Sequence, residues 1–310
     1  MTHPPSAPLE VPVVFLIFNR PDVTARVFGA IRAQRPRKLL LVADGPRASK
    51  AGEIDKCRET RAIVDRVDWE CEVHKNFSET NLGCMGRVSS GLDWAFRLHE
   101  SAIVLEDDCL PHQSFFRFCS ELLDRYRDDR RIMAISGDNF QFGRRRTPYS
   151  YYFSRYNHCW GWATWRRAWQ HFDASMREWP SMRDGGWLLD VLGNARAAKY
   201  WGNIFDAVSE NRIDSWAYRW TFACWRESGL TCLPSVNLVS NIGFSGEATH
   251  TRGRNRYADM AIEAADTPLH HPPFVARDNV ADIYTQDTMF ATPSIAHRLI
   301  SRLRRLTGIE

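Results

Sequence analysis

Between residues 11 and 136, short apolar runs and helix-periodic stretches take turns along the chain. The runs are VPVVFLIF (11–18), KLLLVAD (38–44), CEVHKN (71–76), AIVLEDD (102–108) and RIMAIS (131–136). The first is apolar almost throughout, as a strand covered on both faces should be. The third is a weaker strand. Helical spacing follows each of the first four. Val23, Val27, Ala30 and Ile31 share a face after Pro21, and Ile54, Cys57, Ala62 and Ile63 are the inward positions expected within 52–67. Val88, Leu92, Ala95 and Phe96 do the same within 86–99, and SFFRFCSELLDRY (114–126) is amphipathic. This alternation predicts an α/β fold, a mostly parallel central sheet with helices on both faces. Right-handed crossovers then bring every carboxyl end to one edge, where open α/β sheets bind their ligands.

Four of the five strand ends carry chemistry: Phe18-Asn19-Arg20-Pro21, Ala43-Asp44-Gly45-Pro46, Glu106-Asp107-Asp108 and Ser136-Gly137-Asp138-Asn139. One polar strand end is expected of any loop, but four on one rim favour a site. Three adjacent carboxylates are either a hydrated strand end or hard oxygen ligands for Mg²⁺ or Mn²⁺, which keep positions open for substrate phosphates. On an extended backbone Glu106 and Asp108 share a side, with Asp107 opposed. Such a site serves sugar transfer, nucleotidyl transfer or phosphohydrolysis. The loop FNRPD (18–22) lacks the glycines of a nucleotidyltransferase, and no GxxxxGK[ST] occurs. An aspartyl phosphohydrolase needs its acids after strand one, where this chain has Asn19. Sugar transfer from a nucleotide sugar survives best.

Composition narrows the setting. A net charge of +4 over 310 residues is too weak to argue for nucleic acid. The eight cysteines form no CxxC pair and several lie in apolar runs, which reads as a reduced, cytoplasmic protein. The first ten residues are polar and Pro-rich, expected to be disordered, without the pattern of a signal peptide. After residue 145 aromatics dominate, and ten of the twelve tryptophans fall between 160 and 225. DSWAYRWTFACW (214–225) reads as a buried helix, and LTCLPSVNLVSNIG (230–243) as strands broken by Pro234. The tail SIAHRLISRLRRL (294–306) is a basic amphipathic helix, suited to peripheral association with an anionic membrane surface.

Taken in order, FLIFNRP (15–21), ADGP (43–46), NLGC (81–84), VLEDD (104–108), ISGDNF (135–140), HCWGWATW (158–165) and NLVSNIG (237–243) resemble the GT-A-fold glycosyltransferases. The chain is similar to the bacterial hemolysin-activation-like, family-two-like group and to the N-acetylglucosaminyltransferase I family. The resemblance spans roughly residues 11 to 252. It implies one GT-A domain over 11–285, with a nucleotide-sugar half (11–145) and an acceptor half (146–285), followed by the basic helix within 286–310. It also implies a metal-dependent, inverting transfer from a UDP-sugar, with UDP-N-acetylglucosamine as the analogy's donor, to a glycan, lipid-linked or other hydroxyl acceptor. A nucleotide-sugar-binding protein with impaired turnover is the alternative, and a nucleotidyltransferase a third.

By the same resemblance Asn19, Arg20 and Asp44 hold base, ribose and phosphate, and Arg87 reaches phosphate. Glu106 and Asp107 meet ribose or sugar. Asp108 is the ligand of Mn²⁺ or Mg²⁺, and His250 in GEATHT is a late second ligand. Asp214 is the candidate general base, with Asp138 as runner-up. Ala217 stands where related sequences often carry a further acid, so Asp214 is alternatively a helix cap. Trp160, Trp162 and Trp216 offer faces for sugar rings, and His158 lies in the same acceptor segment.

Overall fold

The computed structural model describes residues 8–244, 257 and 259–290. The first half follows the predicted alternation: β1 (Val13–Ile17), α1 (Pro21–Gln34), β2 (Lys38–Ala43), α2 (Glu53–Val64), β3 (Glu72–Phe77), α3 (Gly83–Leu98) and β4 (Ser101–Glu106). A short β5 (Cys109–Pro111) leads into α4 (Gln113–Arg125) and β6 (Ile132–Ser136). The second half holds β7 (Tyr151–Ser154), β8 (Trp162–Trp165), α5 (Arg166–Trp169), α6 (Trp179–Asp184), α7 (Trp187–Leu192), α8 (Ala195–Ser209) and α9 (Trp216–Arg226). It ends with β9 (Leu230–Pro234), β10 (Val239–Asn241) and α10 (Asn279–Met289).

Eight strands form one mixed sheet in the order β3-β2-β1-β4-β8-β6-β9-β7. β1 lies parallel between β2 and β4, and β2 is parallel to β3. β8 is antiparallel to both β4 and β6, β9 is parallel to β6, and β7 closes the far edge antiparallel to β9. Six strands therefore run one way and β8 and β7 the other, which makes the sheet mainly parallel. β10 pairs antiparallel with β5 outside it.

The apolar run of β1 is divided between two cores. Val13, Phe15 and Ile17 join the cluster with Val27 and Phe28 of α1, Ile63 of α2 and Phe115 of α4. Val14 and Leu16 face Val88 and Leu92 of α3, and the tryptophans of α9 belong to the same cluster. Two-sided burial of this kind is why the strand reads as a continuous apolar run.

Two local expectations are corrected. Ile54 and Ala62 of α2 face solvent, whereas Cys57 and Ile63 are buried as expected, together with Glu53, Thr60 and Val64. Arg47 is salt-bridged to Glu53 and Asn19 is hydrogen-bonded to it, which anchors this rotation. The third run begins one residue later than expected and forms the half-exposed edge strand β3. Helix α10 continues past residue 285 to Met289, and residues 294–306 lie outside the described residues. No helix among the described residues is long and apolar enough to cross a membrane.

Candidate functional site

The carboxyl ends of β2, β1 and β4 and the segment before β8 border one cavity of about 570 Å³. Strand spacing of about 4.8 Å orders its wall. Asp44 stands at the β2 end, Phe18 and Arg20 follow β1, Glu106 ends β4 with Asp107 and Asp108 after it, and Trp160 lies beyond them.

Asp44 is a buried tie. One carboxylate oxygen accepts from the backbone N–H of Gly45 and of Leu82, both at 2.9 Å, and the other from Asn81 Nδ2 at 2.9 Å. Burial pushes its pKa up despite those bonds. A Cβ on Gly45 would lie 2.5 Å from the Thr80 backbone, so only glycine lets these two loops cross. The NLGC motif is thereby fastened to the end of β2. Arg87 lines the same end of the cavity, buried, donating to the Asn76 carbonyl and to Ser90 Oγ. Burial lowers its pKa.

The acid triplet is not one extended stretch, as alternation along a strand had implied. Glu106 closes β4, and Asp107 and Asp108 form the turn into β5. Arg20 spans the two aspartates, with Nη1 2.9 Å from Asp108 Oδ2 and Nη2 bonded to Asp107 Oδ1. Asp107 also accepts from Phe18 N at 3.1 Å. Burial, with Asp108 and Asp107 beside it, pushes the pKa of Glu106 up. Behind Asp108 runs the extension of β10: the Ile242 N–H donates to the Asp108 carbonyl at 2.8 Å, and a Cβ on Gly243 would lie 2.3 Å from Asp108 Oδ2.

This donor set suits a hard divalent cation. Glu106 and Asp108 present oxygen to the cavity, and the Asp108 carboxylate is fitted against bare backbone that admits no side chain. Among the described residues no group of three or more His, Cys, Asp and Glu side chains is disposed to hold an ion. The remaining coordination positions would fall to substrate oxygens and water. His250 lies outside the described residues.

Asp214 reaches the cavity from the loop before α9. Its Oδ2 accepts from Cys84 N at 3.0 Å and its Oδ1 from Met85 N at 2.9 Å, so it caps α3 rather than its own helix. Gly83 turns into that cap at φ +76°, and a Cβ there would meet Asp214 Oδ2 at 2.9 Å. A carboxylate suits the positive end of a helix.

Several sequence candidates lie elsewhere. Asn19 turns away from the cavity and donates to Glu53 Oε1 at 2.8 Å. Trp162 and Trp216 are 1% and 2% exposed and stack on each other with centroids 5.4 Å apart, so neither offers a free face to a sugar. His158 is buried edge-on against Phe140, and burial pulls its pKa down to about 3. Asp138 is 1% exposed and accepts from Ser136 Oγ, while its Oδ2 has no hydrogen-bond partner among the described residues. Burial pushes its pKa up to about 7, and it does not line the cavity.

That placement gives Asp138 a testable signature. Its folded pKa lies above the unfolded one, so the folded state binds the extra proton between about pH 4 and 7 and loses stability as pH rises through that window. Asp138→Asn is expected to flatten this slope and raise the melting temperature at pH 8 by a few degrees, read by thermal unfolding at several pH values. Turnover that collapses while stability rises would instead mark Asp138 as a reacting group.

Other wall residues carried no periodic or motif signal. Arg47 sits 5.4 Å over the Phe18 ring in the cavity wall. Phe244 meets Trp160 at 5.6 Å and 72°, forming an aromatic corner beyond Asp108. Phe140 backs Trp160 edge-on at 5.2 Å.

No protein-family profile matches the chain, and no curated protein matches it in sequence. Among solved structures it is similar to the mannosyltransferase PcManGT of Pyrobaculum calidifontis in complex with GDP-Man and Mn²⁺, at 17% identity and a TM-score of 0.35 over 53% of this chain. The match spans 46% of that protein, so the chain accounts for about half of its length. It is also similar to a 4-diphosphocytidyl-2C-methyl-D-erythritol synthase of Anaerococcus prevotii, at 9% identity and a TM-score of 0.31, over 51% of this chain and 72% of that one. HddC of Yersinia pseudotuberculosis matches at 11% identity and a TM-score of 0.31, over 51% of this chain and 77% of that one.

Proposed function

We propose that the chain is a metal-dependent, inverting glycosyltransferase of GT-A type that moves a sugar from a UDP-sugar to a hydroxyl acceptor on a glycan or lipid-linked glycan. One observation carries this reading: the acid triplet faces a cavity whose two ends differ in chemistry. The β2 end offers hydrogen-bonding and cationic groups, Asp44, Asn81, Arg47 and Arg87, suited to a nucleoside. The far end offers Trp160 and Phe244, suited to the C–H faces of a sugar. A volume of about 570 Å³ lies within the range of small-molecule sites.

On this reading Arg20 meets the diphosphate, Asp108 and Glu106 would hold Mn²⁺ or Mg²⁺, and Asp214 takes the acceptor proton. A bound divalent cation supplies charge neutralisation of the departing diphosphate. Asp214 is the cavity carboxylate outside the triplet that is not, like Asp44, enclosed by three hydrogen bonds. A second reading, nucleotide-sugar binding with impaired turnover, draws on the capping of α3 by both Asp214 oxygens.

The test is a screen of UDP-, GDP- and dTDP-sugars with Mn²⁺ and with EDTA, following melting temperature and nucleotide release. Metal-dependent stabilisation by one donor with release of its nucleotide is expected. No response to any nucleotide would remove the proposal, and stabilisation without release would favour the second reading. Trp160→Ala and Phe244→Ala are each expected to weaken sugar-dependent steps by about tenfold while leaving UDP affinity unchanged, as read by calorimetry beside initial rates. An equal loss of UDP affinity would move the aromatic corner to the nucleoside.

A further inference from the structure

Asp107 and Asp108 are adjacent in sequence but held differently. Asp107 is 3% exposed in its side chain and has two protein partners, the Phe18 N–H and Arg20 Nη2. Asp108 is 15% exposed and faces the cavity. Its Oδ2 accepts from Arg20 Nη1, and among the described residues its Oδ1 is met by the weak S–H donor of Cys109 at 3.5 Å. Among the described residues, Arg20 is the cation ion-paired with the triplet. Its side chain is 32% exposed and lines the cavity.

The space around this contact is directional. A Cβ on Gly243 would lie 2.3 Å from Asp108 Oδ2 and 2.6 Å from Arg20 Nη1, so the backbone of residue 243 closes the ion pair from behind. Residue 243 blocks one side of the contact, and Arg20, which lines the cavity, is free to swing from Asp108 into it. A divalent cation on the Asp108 carboxylate competes with Nη1 for that carboxylate's charge and repels the guanidinium at short range. Displacing Arg20 from Asp108 costs it one of its two carboxylate partners and leaves it with Asp107. A diphosphate removes that cost, because its oxygens accept the fork of N–H groups that Asp108 gives up.

We infer that Arg20 is a built-in counter-cation of the triplet, released from Asp108 by a diphosphate, so that divalent-cation binding is coupled to diphosphate binding. This rests on the donor-site reading above. It makes Arg20 a positioning residue with opposite effects on two ligands. Removing it frees Asp108 for a cation while depriving a diphosphate of its guanidinium.

The experiment measures two ligands separately on the full chain. Mn²⁺ binding without nucleotide is followed by electron paramagnetic resonance of the free ion, and UDP binding in EDTA by calorimetry. Arg20→Met is expected to bind Mn²⁺ about tenfold more tightly than the parent chain and UDP about tenfold more weakly. Arg20→Lys keeps a charge that cannot span both aspartates. It is expected to shift both affinities the same way by about threefold, and it serves if the methionine variant does not fold. General damage to the site would weaken both ligands together. Unchanged or weaker Mn²⁺ binding in both variants overturns the inference. If the parent chain binds UDP with Mn²⁺ and the variants gain no Mn²⁺ affinity, the inference falls and the donor-site reading stands. If the parent chain binds neither ligand, alone or together, both fall.

Discussion

Asp108→Asn is expected to lower nucleotide release from the donor by about 10³-fold or more and to abolish the effect of Mn²⁺ on nucleotide affinity. Asparagine fills the same volume but cannot supply the anionic oxygen that a hard cation needs. The fold should tolerate the change. The turn between β4 and β5 is secured by a backbone bond, Ile242 N–H to the Asp108 carbonyl, which the side chain does not enter. Arg20 keeps Asp107 as a partner. The melting temperature should therefore move little while the metal response disappears, with calorimetry in Mn²⁺ and in EDTA reading the second effect. A variant that turns over within about tenfold of the parent would return the triplet to a hydrated strand end.

Why the triplet stands where it does was only half legible in the sequence. Apolar runs at β1, β2 and β4, and helix spacing after each, announce a sheet whose carboxyl ends share an edge. The alternation alone places Asp44, Arg20 and Glu106 on one rim, with no knowledge of contacts. It fails wherever a partner lies far along the chain. Arg20 pairs with acids 87 and 88 residues away, and Asp214 caps a helix 129 and 130 residues away, and neither contact has a local period. Asn19 sits on the right rim, yet Glu53 claims its amide. The tryptophans misled for a different reason. An indole suits a sugar face and a core equally well, and Trp162 is the first residue of β8, inserted antiparallel between β4 and β6. Only the strand order shows that its ring faces Trp216 rather than solvent. Phe244 carries no helical or strand pattern at all, and its place follows from the approach of Gly243 to Asp108.

Asp214→Asn is expected to reduce acceptor-dependent transfer by about 10²–10⁴-fold while leaving UDP affinity within a small factor. The substitution separates two roles that the geometry superimposes. As a cap, the side chain must present oxygen to Cys84 N and Met85 N, and asparagine still presents one. As a base, it must take a proton from an attacking hydroxyl, and an amide cannot. Asp214→Ala removes both roles and should cost about 1 kcal/mol more in stability, in line with loss of a helix cap. Comparing the variants therefore divides turnover from folding. Transfer that falls equally in both, with stability lost mainly in the alanine variant, assigns the base. Transfer that follows the folded fraction in each leaves Asp214 as a cap alone. Ala217→Asp then becomes the decisive chain. Residue 217 lies in the first turn of α9, three positions after Asp214, and is only half-buried there. A gain of acceptor-dependent release in that variant would place the missing acid one turn along the helix and make the parent chain a binder of nucleotide sugars.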